Sequence, residues 1–364
     1  MPVLEKIVIS DFRNIELQEL EFSPNINCIS GNNGEGKTNL LDAIHYLSMT
    51  KSAFASSDRF SFRHGTDEFS ISGLYRMENA LSSRFSIRMT KGEKKVKRDD
   101  KPYNKVSDHI GVLPIVMVSP ADISLVSESG EERRRFVNAV LSQMDREYMV
   151  SLQQYNRLLQ QRNRMLKDME PDRSLLEVLD MRMAMLAEPV HQARQRFIND
   201  LKPVVNDYYR ALSGDSEQVD IAYESDLFKG SLDQMLAASF EKDRILKYTS
   251  CGLQRDDLVF TMNGWPIRRH GSQGQQKSFL VSLKFAQYEL MKKSYGFAPL
   301  LLLDDVFDKL DMGRVSNLLQ MVSGEDFGQI FITDSNKVRM SGIVDALTSD
   351  RAYFETSGGI FTRM

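Results

Sequence analysis

The chain has 364 residues, 41% of them hydrophobic and 27% charged, with a formal net charge of −3. That length suits two domains or one domain with a large insertion, and the charge excludes a wholly basic surface, so any nucleic-acid contact must be a local patch. Two distant cysteines, Cys28 and Cys251, exclude a disulfide framework and a CxxC zinc site. No run approaches the ~18 apolar residues that span a bilayer, and the opening MPVLEKIVISDF lacks the basic-then-apolar order of a signal peptide. The expected location is therefore the cytoplasm.

Residues 3–9 and 16–22 alternate apolar and polar, which predicts two strands. A short apolar strand at 26–29 runs directly into GNNGEGKT at 31–38, and the period then turns helical, with Leu40, Leu41, Ile44 and Leu47 on one face. Strand alternation returns at 69–75 and 81–89, and the charged stretch 91–101 reads as a turn between strands. A buried strand at 115–118 precedes Ser119-Pro120. Two helical stretches, 131–169 and 175–212, flank Pro171-Asp172 and predict a helical hairpin, with Pro189 and Pro203 expected to kink or break its second arm. Strands follow at 218–223 and 258–262, a helix after Ser272, a strand at 300–303, a helix from Gly313 and a strand at 330–333. Both ends are thus α/β, with a helical insertion between them.

Residues 31–38 fit G-x-x-x-x-G-K-[ST], with the required strand before and helix after. Glycines let successive N–H groups curl around phosphates, and the helix N-terminus adds partial positive charge. Gly31, Asn32, Asn33, Gly34, Glu35 and Gly36 form the loop, with Glu35 expected to face solvent. Lys37 reaches the β/γ-phosphates and Thr38 offers its hydroxyl to Mg²⁺. The alternative is a Gly-rich turn without a ligand.

The strand 300–303 ends in Asp304-Asp305. A buried strand needs no acid for folding, whereas a hard cation requires oxygen ligands. Asp304 is the candidate for the Mg²⁺ shell and Asp305 for polarising the attacking water, against the alternative that the pair caps the next helix. Ser272-Gln273-Gly274-Gln275 opens a helix and reads equally well as a second anion site or as a capping turn.

These three segments in this order resemble the head domain of the SMC branch of ABC-type ATPases. ISDFRN at 9–14, GNNGEGKTNLLDAI, SPAD at 119–122, ERRRF at 132–136, RDD at 255–257, SQGQQK and LLLDDVFDKLD are similar to the RecF family across nearly the whole chain. The insertion is far too short for an SMC coiled coil. The resemblance implies an α/β, ABC-type (SMC head-like) ATPase domain formed by residues 1–125 and 251–364, with a helical arm inserted at 126–250. It implies ATP and Mg²⁺ as ligands, Asn39 flanking the loop and Arg13 near the phosphates or base. It also implies that Ser272, Gly274 and Gln275 reach the γ-phosphate across an ATP-dependent homodimer. Asp311 falls in the loop that crosses to the partner, and Thr333-Asp334 at the family's switch position. The implied activity is weak, DNA-stimulated ATP hydrolysis, slowed because Asp305 stands where most relatives in the wider superfamily carry glutamate. Duplex DNA near single-strand gaps, RecR and RecO are the implied partners, in gap repair and recombinase loading. Gly252-Leu253-Gln254 departs from the family's usual GPH, which weakens any functional role for that loop.

Residues 84–105 carry nine Lys/Arg against three Asp/Glu, and residues 131–167 carry eight against four. Arg84, Arg88, Lys94, Lys95, Lys97, Arg133 and Arg134 are the candidates for DNA phosphates, with an ordinary solvated face as the alternative. A small-substrate kinase is the competing function and an adaptor the third. The kinase reading leaves the 272–277 segment and the arm without a role.

Overall fold

The computed structural model describes residues 1–78, 81–168, 172–214, 217–306, 327–336 and 350–364. In chain order the strands are β1 (Val3–Phe12), β2 (Ile15–Glu21), β3 (Ile26–Ser30), β4 (Glu68–Arg76), β5 (Ser82–Thr90), β6 (Lys94–Arg98), β7 (Lys101–Pro102), β8 (Ile115–Val118), β9 (Val219–Glu224), β10 (Asp257–Met262), β11 (Trp265–Pro266), β12 (Leu300–Asp304), β13 (Ile330–Asp334), β14 (Arg351–Ser357) and β15 (Ile360–Arg363). The helices are α1 (Lys37–Met49), α2 (Ser124–Ser127), α3 (Gly130–Met144), α4 (Arg146–Met165), α5 (Arg173–Ser213), α6 (Leu232–Leu246), α7 (Ile267–His270) and α8 (Gln273–Tyr295). Two compact units contain them: Met1–Ile123 with Ala211–Ser213 and Leu280–Met364, and Ser124–Arg210 with Gly214–Phe279.

The first unit contains two six-stranded sheets. One is antiparallel, in the order β2-β1-β4-β5-β6-β7; the other runs β15-β14-β3-β13-β12-β8 and is parallel apart from its edge strand β15. Helix α1 packs against strands of both. This explains why it is buried nearly all round rather than on one face: Leu40, Leu41, Ala43, Ile44, Tyr46 and Leu47 are fully buried. The strands β3, β12 and β13 are buried at every residue, as expected of a parallel sheet covered on both faces. Their register aligns Asp304 with Thr333 and Thr333 with Ile29, which brings three carboxyl ends to one edge.

The stretch 91–101, expected as a turn, contains β6 and β7. Only Val96 of β6 is buried, so the alternation that marks a strand is almost invisible in KKVKR.

In the second unit β9, β10 and β11 form an antiparallel sheet. The first arm is two helices rather than one. Asp145 takes extended backbone at φ −138° and accepts hydrogen bonds from the N–H groups of Glu147 and Tyr148, so it starts α4 afresh. The second arm is continuous: α5 runs 41 residues with Pro189 and Pro203 inside it. Each proline deletes one helical hydrogen bond, while fully buried Ala187, Val190, Leu201 and Val205 keep the inner face packed. Helix α6 had no visible signal, since Leu232 and Leu236 are its only buried apolar residues. Among the described residues no helix is long and apolar enough to cross a membrane. The helix expected from Gly313 and the segment 307–311 with Asp311 lie outside the described residues.

Candidate nucleotide-binding site

Strand β3 delivers the chain to Gly31, and Gly36, left-handed at φ 108°, turns it into α1. The first N–H groups of that helix face the loop without intrahelical partners, as at any helix start. Asn32, Asn33 and Gly34 are exposed, whereas Lys37 is only 4% exposed. Its Nζ donates to the carbonyls of Gly31 (2.8 Å) and Asn32 (3.1 Å), so the ammonium lies under the loop.

Asp304 meets this loop from β12. The Thr38 hydroxyl lies 3.0 and 2.9 Å from the two Asp304 carboxylate oxygens, and the Thr333 hydroxyl donates to the same carboxylate at 2.7 Å. Thr333 in turn accepts from the N–H of Asp305 (3.0 Å), which holds Asp305 at φ 45°. Burial pushes the Asp304 carboxyl up. Hydrogen bonds from Thr333 and Thr38 pull it back, and the charge of Asp305 raises it further; the net shift is upward. A carboxylate whose charge burial disfavours, beside a hydroxyl, is an oxygen pair that a cation would stabilise. Of the sequence-predicted residues the structure thus brings Lys37, Thr38, Asp304 and Asp305 together, with Thr333, named above for the switch position, as the group that joins the last two.

Arg13 is tied to the core of α1. Its guanidinium is 2.7 Å from the fully buried Asp42 of α1 and donates to Ser52 at 2.9 Å. A buried carboxylate needs such a partner, so Arg13 serves the core of α1. Its neighbour Asn14 touches the loop instead: it donates to the Glu35 carbonyl (3.4 Å) and accepts from Asn39 (2.7 Å). Nothing in the sequence marked Asn14 beyond its place in ISDFRN. Glu35 is half-buried rather than solvent-facing, and its carboxylate accepts from the N–H of Gly358.

Ser272 begins α8 within the second unit. Its N–H donates to Gln275 Oε1 (2.7 Å), and its hydroxyl accepts from the Gln275 N–H (3.2 Å), a reciprocal capping box. The Gln275 amide also donates to Glu217 at 2.6 Å. The capping role is therefore realised, and Ser272 remains exposed while Gly274 is half-exposed.

The basic candidates divide. Arg88 pairs with Glu68 (2.6 Å) and Lys95 with Glu93 (2.9 Å), both at the surface. Lys94 is turned inward to Asp58 (2.7 Å) and the Thr50 carbonyl (2.8 Å). Arg84 is exposed and Lys97 half-exposed. Arg133 and Arg134 are part of the scaffold: Arg133 makes a two-point ion pair with Asp257 (2.7 and 2.9 Å), and Arg134 donates to the Asp256 carbonyl (2.8 Å). Asp256 is buried with Arg194 and Tyr223 on its carboxylate. The ERRRF and RDD segments, both part of the family resemblance, thus bind one another. The departure at Leu253-Gln254 has a structural use. Leu253 is buried, and Gln254 accepts from the Tyr155 hydroxyl (2.7 Å) and donates to the Cys251 carbonyl (2.5 Å).

Residues 3–351 match the RecF/RecN/SMC N terminal domain family. A DNA replication and repair protein RecF from Parabacteroides distasonis is 44% identical over 98% of both chains. One from Bacteroides fragilis is 42% identical over all of this chain and 98% of its own. The solved structure of the recombination mediator protein RecF with ATP, in the RecFOR pathway, superposes with a TM-score of 0.90 at 28% identity, covering 100% of this chain and 98% of that one. A Smc head bound to the C-winged helix domain of ScpA shares the fold at a TM-score of 0.58 and 13% identity. With full-length similarity to these relatives and the loop, acidic pair and capped α8 in place, the chain belongs to the RecF family of DNA replication and repair proteins.

Proposed function

We propose that this chain is an ATP-gated, DNA-binding dimer in which slow ATP hydrolysis resets the dimer. The observation that carries the reading is the contact of Thr38 with both oxygens of Asp304. It joins the phosphate loop and the acidic strand end into one site. The loop N–H groups of residues 32–36 and Lys37 would hold the triphosphate. Mg²⁺ favours one or two protein oxygens plus substrate phosphates, and Thr38 and Asp304 supply that set; when bound, the ion neutralises phosphate charge. Asp305 orients the attacking water, and being one methylene shorter than glutamate it does so weakly.

Exposed Ser272, with Gly274 and Gln275, faces the nucleotide held by a second copy, and Asp311, outside the described residues, is assigned to contact with that copy. The ATPase domain is made by 1–125 and 251–364, with the arm 126–250 inserted. DNA is bound through its backbone at duplex beside single-strand gaps. Arg84, Arg88, Lys95 and Lys97 are better placed than Arg133 and Arg134, whose guanidiniums are committed inside the second unit. The solved structure of RecF with ATP, in the RecFOR pathway, supports ATP as the nucleotide; RecR and RecO are the proposed partners and the cytoplasm the proposed setting.

Sedimentation with and without ATP tests the split site. The wild-type chain should double in mass with ATP. Ser272→Arg should bind ATP normally and stay monomeric; normal dimerisation of that variant would sink the model.

A further inference from the structure

We infer that the carboxyl-terminal hairpin, β14 and β15, positions the phosphate loop for nucleotide, which rests on the reading of residues 31–38 as the ATP site. Strand β14 lies parallel beside β3, with Glu355 opposite Ser30, so the hairpin turn leaves the sheet next to the loop. Three donors then converge on one loop carbonyl. Glu35 O accepts from the Thr356 hydroxyl (3.1 Å), the Gly359 N–H (2.9 Å) and the Asn14 amide (3.4 Å). The Glu35 side chain accepts from the Gly358 N–H as well. A trans peptide points its C=O and the next N–H in opposite directions within one plane. Holding the Glu35 carbonyl toward the hairpin therefore turns the Gly36 N–H away from it, and fixes one of the donors that a phosphate takes.

The approach is too close for a side chain at Gly31. A Cβ there would lie 2.7 Å from both Cγ2 and the carbonyl oxygen of Thr356. The first glycine of the loop is thus required by the hairpin as well as by phosphate. On the other side of the turn, a Cβ on Gly359 would lie 2.5 Å from the Asn14 carbonyl, at φ 85°. Residues 14, 31, 35, 356 and 359 form one fitted assembly around an otherwise exposed, glycine-rich segment. Restraining such a segment before binding removes ordering entropy that the nucleotide would otherwise have to offset. Thr356 and Gly359 are positioning residues.

The test uses the full chain, the fluorescent probe N-methylanthraniloyl-ATP, steady-state ATP turnover and thermal unfolding. Thr356→Val keeps the methyl packed against Gly31 and deletes only the donor; Thr356→Ser keeps the donor. The expected result is about fivefold weaker probe binding and a matching rise in KM for Thr356→Val, with kcat and melting temperature unchanged, and near wild-type values for Thr356→Ser. Gly359→Ala should weaken binding more, about tenfold or beyond. Wild-type affinity in Thr356→Val, or equal weakening in Thr356→Ser, would overturn the positioning role. A wild-type chain that fails to bind the probe would overturn the nucleotide assignment itself, and this inference with it.

Discussion

Asp304 and Asp256 are almost equally buried, at 3% and 1% exposed, yet their surroundings differ in kind. Around Asp304 the partners are hydroxyls, Thr38 and Thr333, and the nearest cation, Lys37, is held by carbonyls of a loop whose tip is exposed. Around Asp256 the partners are the guanidinium of Arg194 and the hydroxyl of Tyr223, in the interior of the second unit. The cavity beside Asp256 is about 10 Å³, lined by Arg133, Arg134, Arg194 and Tyr223, and has room for one water at most. An acid whose charge is left to weak donors beside an open loop is the one the proposed function assigns to a cation that arrives with substrate. An acid already neutralised by a buried arginine is arranged to hold helices together. Two acidic motifs of similar appearance in the sequence therefore divide into chemistry and scaffold by what neutralises them.

The comparison can be broken by crossing one variant from each centre with two readouts. Lys37→Ala should abolish ATP binding, measured by equilibrium dialysis, while thermal unfolding stays near wild type. Asp256→Ala strands Arg194, which is 3% exposed, as an unpaired buried charge. That should cost roughly 3–5 kcal/mol in denaturant unfolding, with ATP affinity of the folded protein unchanged. If Asp256→Ala lost ATP binding while folded, the second centre would belong to the nucleotide site after all.

Much of the first centre was legible. Residues 26–29 are apolar apart from Asn27, residues 31–38 fit the spacing of a phosphate loop, and helical period follows at once. Asp304-Asp305 stood out because nothing about a buried strand calls for acids at its end. The hairpin was invisible because Thr356 and Glu35 are 321 positions apart and Thr356 belongs to no motif. The ion pairing of Arg133 and Arg134 was hidden for the same reason. Positive charge within a run reads as a face for phosphate, and the partner that cancels Arg133, Asp257, lies 124 residues onward. Arg13 was assigned to nucleotide by its place in ISDFRN; its pairing with buried Asp42 was hidden because Asp42 lies on the face of the helix opposite Leu40, Leu41, Ile44 and Leu47, where periodicity predicts a polar surface. The break at Asp145 had a local signal, an N-cap acid before Arg146-Glu147, overridden by helical texture on both sides.

The smallest effect separates the two outer acids of the scaffold. Asp256 is enclosed, but Asp257 is 31% exposed on its side chain and faces Arg133, which is 12% exposed. Burial pushes the Asp257 carboxyl up, and the hydrogen bonds and charge of Arg133 outweigh this, leaving it below its usual value. A carboxyl lowered on folding contributes stability that is complete above its unfolded pKa, about 3.9, and is lost as pH falls through the folded value. Between pH 7 and 5 the pair should thus add a constant increment. Below about pH 4 the increment should fade, and stability should drop more steeply than in Asp257→Asn, which has no charge to lose. Solvent at the pair keeps the difference under about 1 kcal/mol, so urea unfolding of both proteins at pH 6, 5, 4 and 3.5 is the suitable measurement. Parallel curves down to pH 3.5 would show that Arg133 does not hold Asp257 in solution. Its guanidinium would then be available to phosphate, and the line drawn between chemistry and scaffold would have to move to include it.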